Sequence, residues 1–135
     1  MSVDAFDTNV LVYACNKSDA QKRQIAQQIL ESKDGVILWQ TACEFISATR
    51  KLADQGFAAT DAWRHLDFLL ESMPLVVPNR MVLDEAQRLH LKLNLSYWDA
   101  LIIAACLDAG VTRLYSEDLP GRAPPEGLEI INPFA

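Results

Sequence analysis

Four carboxylates stand out because each follows, or lies just inside, an apolar stretch of the chain. Asp7 ends the run from Val3 to Phe6. Glu44 follows the run 36–39 by a few residues. Asp99 opens the apolar segment 97–109, and Asp118 follows the run ending at Tyr115. Carboxylates gathered at one place repel one another and lose hydration. The usual resolution is a hard divalent cation with oxygen ligands, here Mg²⁺ or Mn²⁺, since no His or Cys lies close in sequence to supply a softer site. His65 and His90 fall on predicted helix surfaces.

Each acid also has a local reading. Asp7 or Thr8 can cap the helix that follows. Thr41-Ala42-Cys43-Glu44 fits a capping box, as does, roughly, Ser96-Tyr97-Trp98-Asp99. Asp118 suits a turn. Asp99 is the hardest to read as local. Ile102, Ile103 and Cys106 follow it at helical spacing, so it shares their core-facing side, where a lone carboxylate is costly.

The surrounding elements decide whether the acids meet. Val3–Phe6, Val36–Trp39, Leu75–Val77, Thr112–Tyr115 and Leu128–Ile131 read as short strands. Helices are expected from Thr8 to about Cys15 and from Asp19 to about Ser32, the latter with Lys22, Arg23, Gln27 and Gln28 facing out. A third runs from Gln40 to about Asp54, closed by Gly56. A fourth is capped by Thr60, with Ala62, Leu66, Leu69 and Met73 on its inner face. Asn79 starts the fifth and Ser96 the sixth, which Gly110 ends. Residues 88–95 alternate as a strand would, but Val82, Ala86, Leu89 and Leu93 hold helical spacing over a longer window. With an Asp84–Arg88 pair on the same surface, this favours helix. A Pro- and Gly-rich loop spans 116–127, and Asn132-Pro133 ends the order.

Alternating strands and helices predict an α/β fold: one domain over residues 1–135, with a mainly parallel central sheet of about 4–5 strands flanked by helices on both faces. In such a sheet, strand C-termini and the helix N-termini after them share one edge, which is where Asp7, Glu44, Asp99 and Asp118 are expected. Asp4, at the other end of its strand, is assigned nothing.

Composition narrows the class. The chain has 135 residues, 50% hydrophobic and 22% charged, with a net charge of −6. That argues against non-specific nucleic-acid binding through a basic face, but not against a nuclease whose metal screens phosphate. No apolar run is long enough to span a bilayer, and no basic segment precedes an apolar one at the N-terminus. Cys15, Cys43 and Cys106 are far apart and read as reduced core thiols. A cytoplasmic protein without membrane contact is expected.

Asp7-Thr8-Asn9-Val10-Leu11-Val12-Tyr13, Glu44 in its helix, Ser96-Tyr97-Trp98-Asp99-Ala100-Leu101-Ile102, Leu114-Tyr115-Ser116-Glu117-Asp118-Leu119 and the closing Ile131-Asn132-Pro133-Phe134 together resemble a PIN domain of the kind found in VapC-type toxins. The likeness covers essentially the whole chain. It implies a metal-dependent endoribonuclease with Asp7, Glu44, Asp99 and Asp118 as its acidic cluster, supported by Thr8, Asn9 and Ser116. It further implies products with a 5′-phosphate and a 3′-hydroxyl, and, for a toxin, a small antitoxin that puts a basic side chain among the acids. Many members carry a further acid or His where this chain has Gly121, and Glu117 reads as a neighbour of the site.

On this reading a metal-bound water attacks an RNA phosphodiester in line. Lys17, Arg50, Lys51 and Arg80 are candidate cations for guiding RNA. The helices of residues 40–72, with Phe45, Phe57, Trp63 and Phe68, offer a surface for an antitoxin or a homodimer. Two rivals stand beside the nuclease. One is a binding module, or inactive homologue, whose acids are only caps. The other is a phosphatase of the HAD kind with Asp7 as nucleophile, which wants a second Asp where this chain has Asn9.

Overall fold

The computed structural model describes residues 2–32, 34–119 and 127–135. Among these residues five strands and six α-helices follow in the order β1 (Asp4–Phe6), α1 (Thr8–Tyr13), α2 (Ala20–Ile29), β2 (Ile37–Leu38), α3 (Trp39–Ala48), a 3₁₀ segment (Thr49–Gln55), α4 (Ala59–Ser72), β3 (Leu75–Val76), α5 (Arg80–Leu93), α6 (Tyr97–Asp108), β4 (Arg113–Tyr115) and β5 (Glu129–Ile131). Every strand pairing among the described residues is parallel. A three-stranded unit, β1-β4-β5, and a two-stranded unit, β2-β3, meet through a parallel bridge between Asp4 and Gly35. The bridge is carried by Asp4 N to Asp34 O at 3.0 Å and Val36 N to Asp4 O at 2.8 Å. The strand order is therefore 3-2-1-4-5, with β1 central. Glycine suits the junction: a Cβ on Gly35 would lie 2.7 Å from Met73 Sδ and 3.1 Å from the Phe6 ring.

The sheet is covered on both faces because successive strand residues point to opposite sides. Ala5, Leu38 and Leu114 pack with Val82, Ala86 and Leu89 of α5 and Ile103 of α6. Phe6, Ile37 and the partly buried Tyr115 pack instead with Val10, Ala26, Phe45 and Leu66 of α1 to α4.

Local signals set most helix ends. Asn79 caps α5 through Val82 N and Ser96 caps α6 through Asp99 N. Gly56 (φ 79°) and Gly110 (φ 73°) take the left-handed conformation expected after helices. The segment 88–95 is helical through Leu93, and Asn94 (φ 54°) turns the chain out.

Several local expectations change. Thr60 lies inside α4, whose N-cap is Ala58; its N–H donates to the Asp61 carboxylate instead. The helix expected to Asp54 tightens to 3₁₀ after Ala48, where the buried Thr49 hydroxyl donates back to Phe45 O and draws in the turn. Arg88 pairs with Glu85, and Asp84 with Arg80. Order does not end at Asn132-Pro133, since the Phe134 ring packs edge-on against Tyr13 with centroids 4.8 Å apart. Asp4 is a buried anchor. Its oxygens accept from Arg113 Nε (2.7 Å), Arg113 Nη2 (3.1 Å) and Ser32 Oγ (3.0 Å), which ties β1 to β4 and to the chain after α2. Residues 120–126, with the departure at Gly121, lie outside the described residues.

Candidate active site

The C-terminal ends of β1 and β4 lie side by side, joined by Asp7 N to Tyr115 O at 2.8 Å. Strand pairing thus sets Asp7 beside Ser116, and the side chains complete the join. Fully buried Ser116 donates from Oγ to Asp7 Oδ2 at 2.7 Å. It accepts from the N–H groups of Asp118 and Leu119, each at 3.2 Å. Asp7 Oδ1 accepts from Thr8 N at 2.8 Å, so Asp7 is both the cap of α1 and a member of the cluster.

The next two residues of α1 organise the remaining acids. Thr8 Oγ1 donates to Glu44 Oε1 at 3.1 Å. Asn9 Nδ2 donates to Asp118 Oδ2 at 3.2 Å, and its Oδ1 accepts from Glu117 N at 3.3 Å. The capping-box reading of Glu44 does not hold. α3 starts at Trp39, so Thr41 lies within it and its hydroxyl donates to Leu38 O, leaving Glu44 in the second turn and exposed.

Asp7 has its pKa raised. Burial is the main cause, and the charges of Glu44 and Asp118 push the same way, while the Ser116 and Thr8 hydrogen bonds oppose them. No ion pair to Asp7, Glu44, Asp99 or Asp118 is present among the described residues. A desolvated carboxylate repelled by two exposed ones, with no protein cation paired to them among the described residues, is a donor set a hard divalent ion suits. As placed, however, no three His, Cys, Asp or Glu side chains among the described residues stand close enough together to hold one ion.

Asp99 is the acid the geometry does not join to the others. It is half-buried at the start of α6, its N–H donates to Ser96 Oγ, and its carboxylate has no hydrogen-bond partner among the described residues. The expected core-facing side belongs to Ile102, Ile103 and Cys106, which are buried. The N-termini of α3 and α6 do meet, through Gln40 Nε2 and Trp98 O at 3.5 Å. Between them opens a largely apolar cavity of 470 Å³, with Glu44, Trp39, Cys43 and Trp98 in its lining.

The predicted guiding cations divide. Lys17, Arg50 and Lys51 are exposed and free of ion pairs among the described residues, whereas Arg80 is held by Asp84 at 2.9 Å. Lys22, expected to face solvent, reaches Glu117 at 2.6 Å. Its place in the first turn of α2 gave no sign of this. Of the surface aromatics, Phe45 is core, while Trp63 and Phe68 are 54% and 66% exposed. His65 is half-buried against the Phe45 ring. Cys106 is buried and Cys15 partly so, but Cys43 is exposed.

The profile of the PIN domain family matches residues 5–119. The chain belongs to the PIN domain family. Among solved structures, a toxin–antitoxin complex from Klebsiella pneumoniae is 20% identical, covering 97% of this chain and 98% of its own, with TM-score 0.72. VapBC2 from Rickettsia felis, bound to a DNA fragment from its promoter, is 16% identical over 96% of this chain and 98% of its own, with TM-score 0.71. DNA-bound VapBC from Salmonella typhimurium is 14% identical over 98% and 99%, also with TM-score 0.71. Comparison with curated protein sequences returned no match. At these identities the shared property is the fold alone.

Proposed function

We propose that this PIN domain, taken as a single unit over residues 1–135, is a divalent-metal-dependent endoribonuclease and the toxin of a toxin–antitoxin pair. The observation that carries the proposal is the hydrogen-bonded chain at the C-terminal edge of the parallel sheet, Ser116 to Asp7, Thr8 to Glu44 and Asn9 to Asp118, with burial and the charges of Glu44 and Asp118 raising the Asp7 pKa. Asp99, whose carboxylate has no hydrogen-bond partner among the described residues, is the fourth proposed carboxylate. Mg²⁺ or Mn²⁺, when bound, supplies Lewis acidity toward phosphodiester oxygens and lowers the pKa of a coordinated water.

The protein's own work is placement. Ser116 and the Thr8 N–H fix the Asp7 carboxylate, Thr8 Oγ1 orients Glu44, and Asn9 orients Asp118. Lys17, Arg50 and Lys51 are the proposed contacts to the RNA backbone. Burial pushes the Cys15 thiol up to about 12 and Cys106 higher still, which argues against either as a nucleophile. The phosphatase reading is weakened by Asn9, whose amide is engaged with Asp118 and the Glu117 N–H.

Some of the structures it resembles are toxin–antitoxin complexes, which supports a small antitoxin as partner. Exposed Trp63 and Phe68 on α4 are the proposed anchors for the antitoxin or for a second copy of the chain. No described helix is long and apolar enough to cross a membrane, which is compatible with work in the cytoplasm.

One observation favours the binding-module reading: Asp99 stands apart from the other acids. Mn²⁺ titration calorimetry separates the two. The nuclease requires uptake by wild type that is lost in Asp7→Asn and weakened in Asp99→Asn, and RNA cleavage that EDTA abolishes. Cleavage that persists in EDTA, or in Asp7→Asn with metal present, refutes the mechanism.

A further inference from the structure

Two adjacent acids follow β4, and the structure treats them differently. Asp118 turns toward Asn9 and the site and has no cationic partner among the described residues. Glu117 turns the other way, where both its oxygens are taken. Oε2 meets Lys22 Nζ at 2.6 Å, and Oε1 accepts from the Tyr13 hydroxyl at 2.7 Å. Lys22 Nζ also reaches the Tyr13 oxygen at 3.3 Å and lies over the Tyr13 and Phe134 rings at 4.8 and 5.7 Å from their centroids. Both charged side chains are about two-thirds covered, with relative exposures of 33% and 26%. The backbone continues the arrangement. Glu117 N–H donates to Asn9 Oδ1, and the same Asn9 amide donates to Asp118. Holding Glu117 therefore also holds the group that orients Asp118.

We propose that Lys22, with Tyr13, is a positioning residue that withholds Glu117 from the metal site, so that the loop after β4 presents one ligating acid, Asp118, rather than two. The inference rests on the metal reading of the site given above and deepens it. Lys22 touches no acid of the cluster. It acts by neutralising the carboxylate next in sequence to Asp118, and by pinning the loop to α1 and α2.

The test is Mn²⁺ affinity, measured by electron paramagnetic resonance of free Mn²⁺ and by calorimetry, without RNA. The proteins are wild type, Lys22→Met, Lys22→Arg, the double variant Lys22→Met/Glu117→Gln, and Asp118→Asn. Lys22→Met releases a unit negative charge and is expected to tighten Mn²⁺ binding about fivefold, the effect of that charge on a divalent ion across ~8 Å of water. Lys22→Arg keeps the pair and the wild-type affinity. The double variant removes a neutral pair, so its affinity stays within about twofold of wild type on the same Coulomb argument, while Asp118→Asn binds more weakly. Thermal melts of each variant confirm the fold. If the double variant loses as much affinity as Asp118→Asn, Glu117 is a ligand and the proposal is overturned. Unchanged or weaker binding by folded Lys22→Met overturns it too. If wild type itself takes up no Mn²⁺, the metal reading fails instead.

Discussion

Ser116→Ala tests how much of the site is held by one hydroxyl. Ser116 is fully buried and serves three groups: it donates to Asp7 Oδ2 and accepts from Asp118 N and Leu119 N. Removing the oxygen deletes a hydrogen bond to a carboxylate, worth about 1.5–3 kcal/mol, and leaves the buried Leu119 N–H unpaired at about 1–3 kcal/mol. The Asp118 N–H, on an exposed residue, can turn to water. These losses share one loop and do not add fully, so the expected destabilisation is about 3 kcal/mol, a large part of a typical domain stability of ~5–15 kcal/mol. Urea unfolding at pH 7 in EDTA measures it.

The pH dependence has a definite sign. The folded Asp7 pKa lies above its ordinary 3.8 because of burial first, with the Ser116 bond opposing the rise. A raised carboxyl pKa means the folded state holds the proton more tightly than the unfolded chain. Metal-free stability therefore falls as pH climbs from 3.8 through the folded value. Ser116→Ala raises that value further and widens the window, so the variant's deficit is larger at pH 7 than at pH 4. Carboxyl-carbon NMR of Asp7 reads the titration directly. A loss below about 1 kcal/mol, less than one buried hydrogen bond to a charge, or an Asp7 titration that moves down, refutes this account of the site.

Three further outcomes are expected. Arg113→Met leaves the Asp4 side chain, 3% exposed, with Ser32 as its remaining hydrogen-bond partner among the described residues; its unfolding midpoint should fall several times further than that of Arg64→Met, which removes an exposed pair on α4. His65 has its pKa lowered by burial, so the unfolded chain takes up a proton first and stability is lost as pH falls below the ordinary 6.5. His65→Phe should flatten stability between pH 7 and 5, and a slope identical to wild type would contradict the assignment. Brief iodoacetamide treatment of the native protein should add one label, at Cys43, with Cys15 and Cys106 reacting only on unfolding; peptide mass mapping decides this.

What the sequence alone determined is what depends on near neighbours along the chain. Helical spacing over Val82, Ala86, Leu89 and Leu93 outweighed the alternation of residues 88–95, and all but Leu93 prove fully buried. Asn79 and Ser96 cap their helices because a short polar side chain reaches an N–H three residues on wherever the helix then goes. Asp7 was legible as a strand-end acid because a run of small and apolar residues must stop where the sheet edge meets water. The strand–helix alternation likewise carried the parallel sheet.

Tertiary structure decided which distant groups meet. Lys22 looked like one more polar residue on the outer face of α2, and only the loop after β4, 95 residues away, supplies Glu117 as its partner. Asp4 looked idle until Arg113, 109 residues on, paired with it across β1 and β4. The same lack of range let Glu44 read as a cap and Asp99 as a core-facing acid. Periodicity reports which side of its own element a side chain occupies. It carries nothing about what stands opposite, which the strand order 3-2-1-4-5 settles. That order sets Asp7 beside Ser116, lets Thr8 and Asn9 reach Glu44 and Asp118, and sends Glu117 to Lys22, while Asp99 joins none of these hydrogen bonds.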